Sequence, residues 1–296
     1  MSPRLPCPRP MKPPPEVPPP HHLRWTALTH VGKVRQNNED AFVLLNFDAQ
    51  AFNYLGKTGE GSLAETDYVF AVSDGMGGAK AGEFASRIAV EKITRLLPKG
   101  YRSAAAGLDA GFSDLLEEVY FETHRSLTYL GSQYEECEGM GATLSLTWFA
   151  PGWMYFAHVG DSRIYYLPAA GGLKQLSKDD THVGWQLRQG RINEREARSH
   201  PMKNSLQKAL GAGHQFVDPQ LGAVGLEAGD LFLICSDGVI DGLWDRQLLQ
   251  LLREPEEKER LLDPAPRLVE TAVEKSGRDN TTAVVIEVLP GPDGEN

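Results

Sequence analysis

Short apolar runs ending in glycine, aspartate or asparagine alternate along this chain with longer stretches of helical period. Residues 25–29 alternate apolar and polar positions as a half-buried strand does, and 41–45 read as a strand returning after a turn at Gly32. The polar hexapeptide Arg35-Gln36-Asn37-Asn38-Glu39-Asp40 would then lie at the mouth of that hairpin. A long connection, 46–66, rich in Gly, Ala and Thr, carries no function in this reading. It leads to the stretch 68–83, an apolar run that stops abruptly in Ser73-Asp74-Gly75 and continues through Gly77-Gly78 into a helical pattern. Ala81, Phe84, Ala85, Ile88, Ala89, Ile93, Leu96 and Leu97 recur at helical spacing, and Pro98 and Gly100 predict the stop. A second helix carries Leu108, Phe112, Leu115, Val119 and Leu127 on one stripe, with Gly131 at its end. The two predict an antiparallel pair covering one face of a sheet.

Strands at 142–149, Trp153–Val159 and Arg163–Leu167, separated by Pro151-Gly152 and Gly160-Asp161-Ser162, predict an antiparallel meander. Residues 168–215 are more charged and less regular, and 183–198, interrupted by Gly190, read as a partly helical surface flap where substrate choice would be made. The pattern resumes with a strand at Leu231–Cys235, helices at 246–252 and 265–275, and a last strand at Thr281–Leu289. Strands at both ends with paired helices between them predict packed antiparallel sheets with helices outside. Ten of the twenty prolines fall in residues 1–20, so 1–22 read as a disordered, polyproline-like arm. The folded domain is expected over 23–290, with 291–296 a tail.

Composition narrows the function classes. The 296 residues, 41% hydrophobic and 24% charged, are ample for a buried core. No apolar run reaches the ~18 residues of a membrane span, and no N-terminal segment resembles a signal peptide, so a soluble, cytoplasmic protein without membrane partners is expected. A net charge of −10 argues against nucleic-acid binding. Cys7, Cys137 and Cys235 show no paired spacing, and Cys235 reads as a core residue.

Candidate chemistry lies in the acidic residues. Asp74 and Asp237 each end an apolar strand and precede glycine, Glu39-Asp40 and Asp279 stand at strand starts, and Asp161 lies in a tight turn. Any one of them has an ordinary explanation, because aspartate caps turns. Together they are harder to dismiss: carboxylates gathered at the ends of buried strands repel one another unless a cation neutralises them. Oxygen ligands select Mg²⁺ or Mn²⁺ over zinc or copper.

The sequence resembles a known family. Arg35-x-x-x-Glu39-Asp40, Asp74-Gly75-Met76-Gly77-Gly78, Gly141-Ala142-Thr143, Val159-Gly160-Asp161-Ser162-Arg163, Ser236-Asp237-Gly238 and Asp279-Asn280-x-Thr282 stand in the order and spacing of the PPM, or protein phosphatase 2C type, metal-dependent protein serine/threonine phosphatases, in their bacterial form. The resemblance covers residues ~24–289. It implies an α+β fold of two packed antiparallel β-sheets flanked on both sides by antiparallel α-helix pairs, a four-layer α-β-β-α sandwich. It also implies two Mn²⁺ or Mg²⁺ ions, with Asp74 bridging them, Asp237 and Asp279 completing one site, and Glu39 and the Gly75 carbonyl serving the other. Asp40 would ligate directly or through water. Asp161 and Asp241, with Asp237, match a third ion site of some members. Arg35 matches the arginine that binds the substrate phosphate, for which its fork of donors is apt.

The implied reaction is hydrolysis of phosphoserine and phosphothreonine on proteins by a metal-bridging hydroxide attacking in line. Its partners are phosphorylated proteins and a cognate serine/threonine kinase, and the chain would act as a monomer. Met76 and Ala79 stand where relatives often keep histidine, so the group that protonates the leaving oxygen is open among His182, His200 and a water; His158, inside a strand, reads as packed. A catalytically silent phosphoprotein-binding module would be favoured by lost carboxylates, and none is missing. Reading GMGGAK as a nucleotide loop fails on spacing, since Lys80 is followed by Ala81.

Overall fold

The apolar run before Ser73 is unbroken because both of its faces are buried. Tyr68, Phe70 and Val72 point between two sheets, while Val69 and Ala71 point beneath helices. In the computed structural model, which describes residues 21–48, 50–105 and 111–291 (79 and 99–105 by backbone alone), this two-faced pattern recurs in every central strand. The first part of the chain forms β1 (His22–His30), β2 (Asp40–Phe47), β3 (Phe52–Tyr54), β4 (Thr58–Ser62), β5 (Asp67–Met76), α1 (Ala79–Ala105) and α2 (Phe112–Gln133). Then come β6 (Gly141–Ala142), β7 (Leu144–Ala150), β8 (Trp153–Val159), β9 (Arg163–Leu167), β10 (Lys174–Gln175), α3 (His182–Arg188), α4 (Glu194–Ser199), β11 (Leu210–Gly211) and β12 (Gln220–Gly225). The last elements are β13 (Leu231–Cys235), α5 (Asp237–Gly242), α6 (Asp245–Arg253), α7 (Pro264–Lys275) and β14 (Thr281–Leu289).

A 6-stranded sheet runs β10-β9-β13-β14-β1-β4, and an 8-stranded sheet runs β11-β6-β5-β7-β8-β12 with β2 paired to β5 and β3 to β2. Three apolar clusters separate four layers. Leu23, Trp25, Phe70, Phe232 and Ile286 fill the space between the sheets. Ala85, Ala89, Ile93, Leu116 and Trp148 lie between α1–α2 and the larger sheet. Leu233, Val239, Leu248, Leu268 and Val285 lie between α5–α7 and the smaller one. Each fully buried Leu, Ile or Phe contributes about 1.5–3 kcal/mol, so the sandwich is held from three interiors at once. The start of α1 faces the end of α2, as expected of an antiparallel pair.

Several sequence expectations need correction. The strands around Arg35–Asp40 are not a hairpin: β1 pairs with β14 and β4, β2 with β5 and β3, so residues 31–39 cross from one sheet to the other. Nor do β7, β8 and β9 form one meander, because β9 crosses to pair with β13. Local periodicity marks a strand but does not name its partner. Residues 46–66 contain β3, only three residues long, and β4, whose Thr and Gly pattern is too polar to signal a strand. β12 went unread for the same reason, being Gly-rich and half-exposed. α1 runs past Pro98, giving up one backbone hydrogen bond in exchange for burying the ring and Leu97. Leu108 and residues 1–20 of the arm read at 1–22 lie outside the described residues, and His22, read as the arm's last residue, instead opens β1.

One pole of the sandwich collects the strand ends that matter. β2 begins and β5 ends there, with Asp40 opposite Asp74 in register. β14 begins there too, with Thr281 opposite His30, and β13 ends there, with Cys235 opposite Ala283.

Candidate metal centre and active-site cleft

At this pole a cleft of 490 Å³ opens, walled by Arg35, Glu39, Asp74, Gly75, Met76, Thr143, Asp161, Asp237 and Asp279 among others. Residues from six separate motifs therefore meet, and each is placed by its own backbone. Asp74 is fixed by Thr143: its N–H donates to Thr143 Oγ1 at 3.0 Å, and its carbonyl accepts from the Thr143 N–H at 2.8 Å. Thr143 Oγ1 is bonded in turn to Ser162 Oγ at 2.8 Å, and Ser73 Oγ donates to the Thr143 carbonyl at 2.6 Å. Gly75 must be glycine, since a Cβ there would stand 1.9 Å from the Gly82 carbonyl oxygen in the first turns of α1. A Cβ at Gly82 would stand 2.8 Å from Glu39 Oε2, so two glycines make room for that carboxylate.

The crossing segment 31–39 is clamped by Asn280. Its Nδ2 donates to the Val31 and Asn37 carbonyls, both at 2.9 Å, and its Oδ1 accepts the Glu39 N–H at 2.8 Å. Arg35 and Glu39 are thereby held against Asp279, and Arg35 Nη2 donates to Asp279 Oδ2 at 2.8 Å.

Asp40 does not line the cleft. Its Oδ2 accepts from Ser236 Oγ at 2.7 Å and Thr282 Oγ1 at 2.6 Å, a tie between the two sheets, while its buried Oδ1 has no partner. Asp237 Oδ1 is likewise buried and without a partner. Asp241 lies in an adjoining hollow of 140 Å³ under α3 and α4, which shares Asp161 and Asp237 with the cleft; there Lys203 Nζ donates to Asp241 Oδ2 at 2.6 Å.

Burial pushes the Asp74 carboxyl well above the usual range, and the charges of Asp40, Asp237, Asp161 and Asp279 push it further. Asp237 is raised for the same reasons, by burial first and then by Asp161, Asp279, Asp241 and Asp40. Burial lifts Asp161 to about 7 and Asp40 to about 6, the latter against the hydrogen bonds from Thr282 and Ser236. Such a cluster is electrostatically unfavourable unless protons or cations compensate it.

Among the described residues, no three His, Cys, Asp or Glu side chains already stand as a chelating group. The donor set nonetheless suits hard divalent ions: it is all oxygen, spread over a cleft wide enough for more than one ion, and one of its carboxylate oxygens, Asp237 Oδ1, is buried without a partner. The candidate histidines are elsewhere. His182 stacks on Trp185 and bonds Gln186, His200 Nδ1 accepts from the Met202 N–H, and neither lines the cleft. His158 is packed as expected, buried between Ser145 Oγ and the Gly160 carbonyl. Lys80 lies on α1 outside the cleft wall, which removes the nucleotide-loop reading. Thr143 and Asn280 stood inside quoted motifs without a role. Their signal was position: each is next to, or paired with, a carboxylate-bearing strand end.

The family model described as Protein phosphatase 2C matches residues 58–271 of this chain. The chain belongs to the protein phosphatase 2C family. Serine/threonine protein phosphatase PstP of Mycobacterium tuberculosis is 35% identical over 270 residues, covering 90% of this chain and 45% of that protein. The chain thus spans less than half the length of that curated relative. Serine/threonine phosphatase stp of Listeria monocytogenes is 31% identical, covering 88% of this chain and 93% of that one. Among solved structures, the catalytic domain of PstP in complex with 2 manganese ions superposes with a TM-score of 0.66 at 33% identity, covering 91% of this chain and 99% of the other. The α+β sandwich is thus that of the family.

Proposed function

We propose that this chain is a metal-dependent protein serine/threonine phosphatase that hydrolyses phosphoserine and phosphothreonine on proteins. The observation that carries the reading is the convergence of Glu39, Asp74, Asp161, Asp237 and Asp279 with one guanidinium, Arg35, in a single cleft. A phosphate dianion entering five carboxylates and one arginine would be repelled, so the cleft accepts its substrate only with divalent cations in place. Asp74, whose carboxyl feels the charges of Asp237, Asp161 and Asp279, would be the bridging ligand. Asp237 and Asp279 serve one ion, and Glu39 with the Gly75 carbonyl serves the other. The partnerless Oδ1 of Asp237 would supply a further donor, and Asp161, Asp237 and Asp241 would form an outer site for a third ion. Two Mn²⁺ or Mg²⁺ ions would supply the positive charge that draws in the phosphoryl oxygens and acidifies a water. The relative solved with 2 manganese ions supports this assignment.

Arg35 is held at the lip by Asp279, with its remaining donors directed to a phosphate. Thr143 and Ser162 keep Asp74 oriented from behind, and Asn280 keeps Arg35 and Glu39 at their posts. No histidine lines the cleft among the described residues, so the proton for the leaving oxygen comes from water in this reading. A serine/threonine kinase supplies the substrates, and the enzyme acts as a cytoplasmic monomer.

The test is release of phosphate from a phosphothreonine peptide by the full chain with Mn²⁺. Activity is expected to vanish with EDTA and to fall by roughly a thousandfold or more in Asp74→Asn, the scale of losing a group that orders the transition state. Hydrolysis indifferent to both would refute the reading.

A further inference from the structure

Gly78 is in the wall of the cleft, and Lys80, two residues on, lines a second depression of 480 Å³ with Ala81, Phe84, Leu130, Tyr134 and Cys137. Leu130 belongs also to the wall of a 300 Å³ hollow farther along, shared with Ile88, Lys92, Arg95 and Tyr129. Joined at Leu130, the two make one groove down the α1–α2 seam. From Lys80 to Arg95 it runs ~22 Å along α1. The inner faces of these helices are spent on the core through Ala85, Ala89, Ile93 and Leu127. The groove shows apolar surface that the fold does not use: Phe84 is 48% exposed, Tyr134 51% and Tyr129 61%. Contiguous apolar surface of this kind marks a binding site.

Its position selects the occupant. Gly78 and Lys80 Cα atoms stand at most ~7.6 Å apart, a gap that an extended peptide spans in two or three residues. A chain seated in the cleft and leaving over Gly77-Gly78 therefore comes within reach of the groove. The groove's own lining sets Lys80, Lys92 and Arg95 against Glu136 and Glu91, a small positive excess suited to an anionic strand, with exposed Lys80 at the junction. We propose that the α1–α2 groove is a docking subsite for the phosphoprotein substrate, taking an aromatic or large aliphatic side chain about three to five residues from the phosphorylated one. This rests on the phosphatase reading of the cleft. Phe84 and Tyr134 form the lips of the pocket, Leu130 its floor, and the arrangement makes substrate choice a property of the helical layer as well as of α3 and α4.

The experiment uses the full chain with Mn²⁺ and two sets of phosphothreonine peptides of equal length and charge. One set carries Phe at successive positions three to five residues on either side of the phosphothreonine, and the other carries Ser there. The Phe set on one side is expected to show kcat/KM about tenfold higher, expressed in KM, and Phe84→Ala or Tyr134→Ala is expected to erase that difference. Hydrolysis of p-nitrophenyl phosphate, which reaches only the cleft, should stay unchanged in both variants. Fluorescence anisotropy of the labelled Phe peptides reads docking without catalysis, with weaker binding expected in the same variants; it tests the groove even if the cleft proves inactive. Equal kcat/KM and equal binding for the two sets would overturn the proposal. So would a rise in activity shared by Phe84→Ala and by removal of residues 1–20, which would assign the groove to the chain's own arm. A concentration-dependent dimer in sedimentation that Phe84→Ala abolishes would overturn it in favour of a second copy.

Discussion

Asp67 stands at the opposite end of β5 from Asp74, and its Oδ2 accepts the Trp148 indole N–H at 2.8 Å. Burial pushes this carboxyl up to about 6, with the indole bond opposing the shift. The folded value lies above the unfolded one, so the folded chain holds the proton more tightly. The resulting stability is complete below about pH 4 and is lost as pH rises through about 6. Between pH 8 and pH 5 the protein should therefore gain roughly 1 kcal/mol relative to Asp67→Asn, read from urea melts followed by Trp fluorescence. Parallel pH profiles for the two proteins would refute this. Nothing in the sequence singled out Asp67, because its burial comes from a tryptophan 81 residues away. Asp74, Asp237 and Asp279 were legible because each stands at a strand end beside a glycine or asparagine. Asp40 shows the limit: adjacent to Glu39 in sequence, it turns away from the cleft to Ser236 and Thr282.

The segment 31–39 shows the same division one scale up. Its polarity was readable, but its path was not, because a nine-residue connection can close a hairpin or cross between sheets and only the partner strands decide which. The crossing is secured by Asn280, which is 3% exposed and makes three hydrogen bonds to it. Asn280→Ala would remove three side-chain bonds to this half-buried segment, at the Val31 and Asn37 carbonyls and the Glu39 N–H. A loss of roughly 2–4 kcal/mol in unfolding free energy is expected. Because Arg35 and Glu39 ride on this segment, kcat/KM on a phosphopeptide should also fall at temperatures where the variant is fully folded. Unaltered melts would show that the clamp is dispensable. The helices were read well because an amphipathic stripe belongs to one element. β9, β3, β4 and β12 were misplaced or missed because their evidence lies in their neighbours.

For the molecule as a whole, the cleft is a charge problem at the end of an otherwise apolar sandwich. The half-buried Asp74 and Asp237 carboxyls are raised by desolvation and then by neighbouring carboxylates, each other's included, and are destabilising when ionised without counter-ions. Divalent cations should therefore raise Tm by several degrees at pH 7.5, by mass action on the folded state. Asp237→Asn should melt higher than the unaltered chain in EDTA and respond less to Mn²⁺ in differential scanning calorimetry. A variant that melts lower in EDTA with an undiminished Mn²⁺ response would contradict the assignment. The pairing of β1 with β14 has a separate consequence. The first and last strands lie side by side, His22 opposite Leu289, so the domain's two ends emerge together. They emerge ~27 Å along the strands from Thr281, where the cleft opens. In effect the domain is a closed loop of chain with its seam at the back. Tethers, added modules or a rejoined and reopened backbone can be accommodated at that seam without crossing the reaction's path.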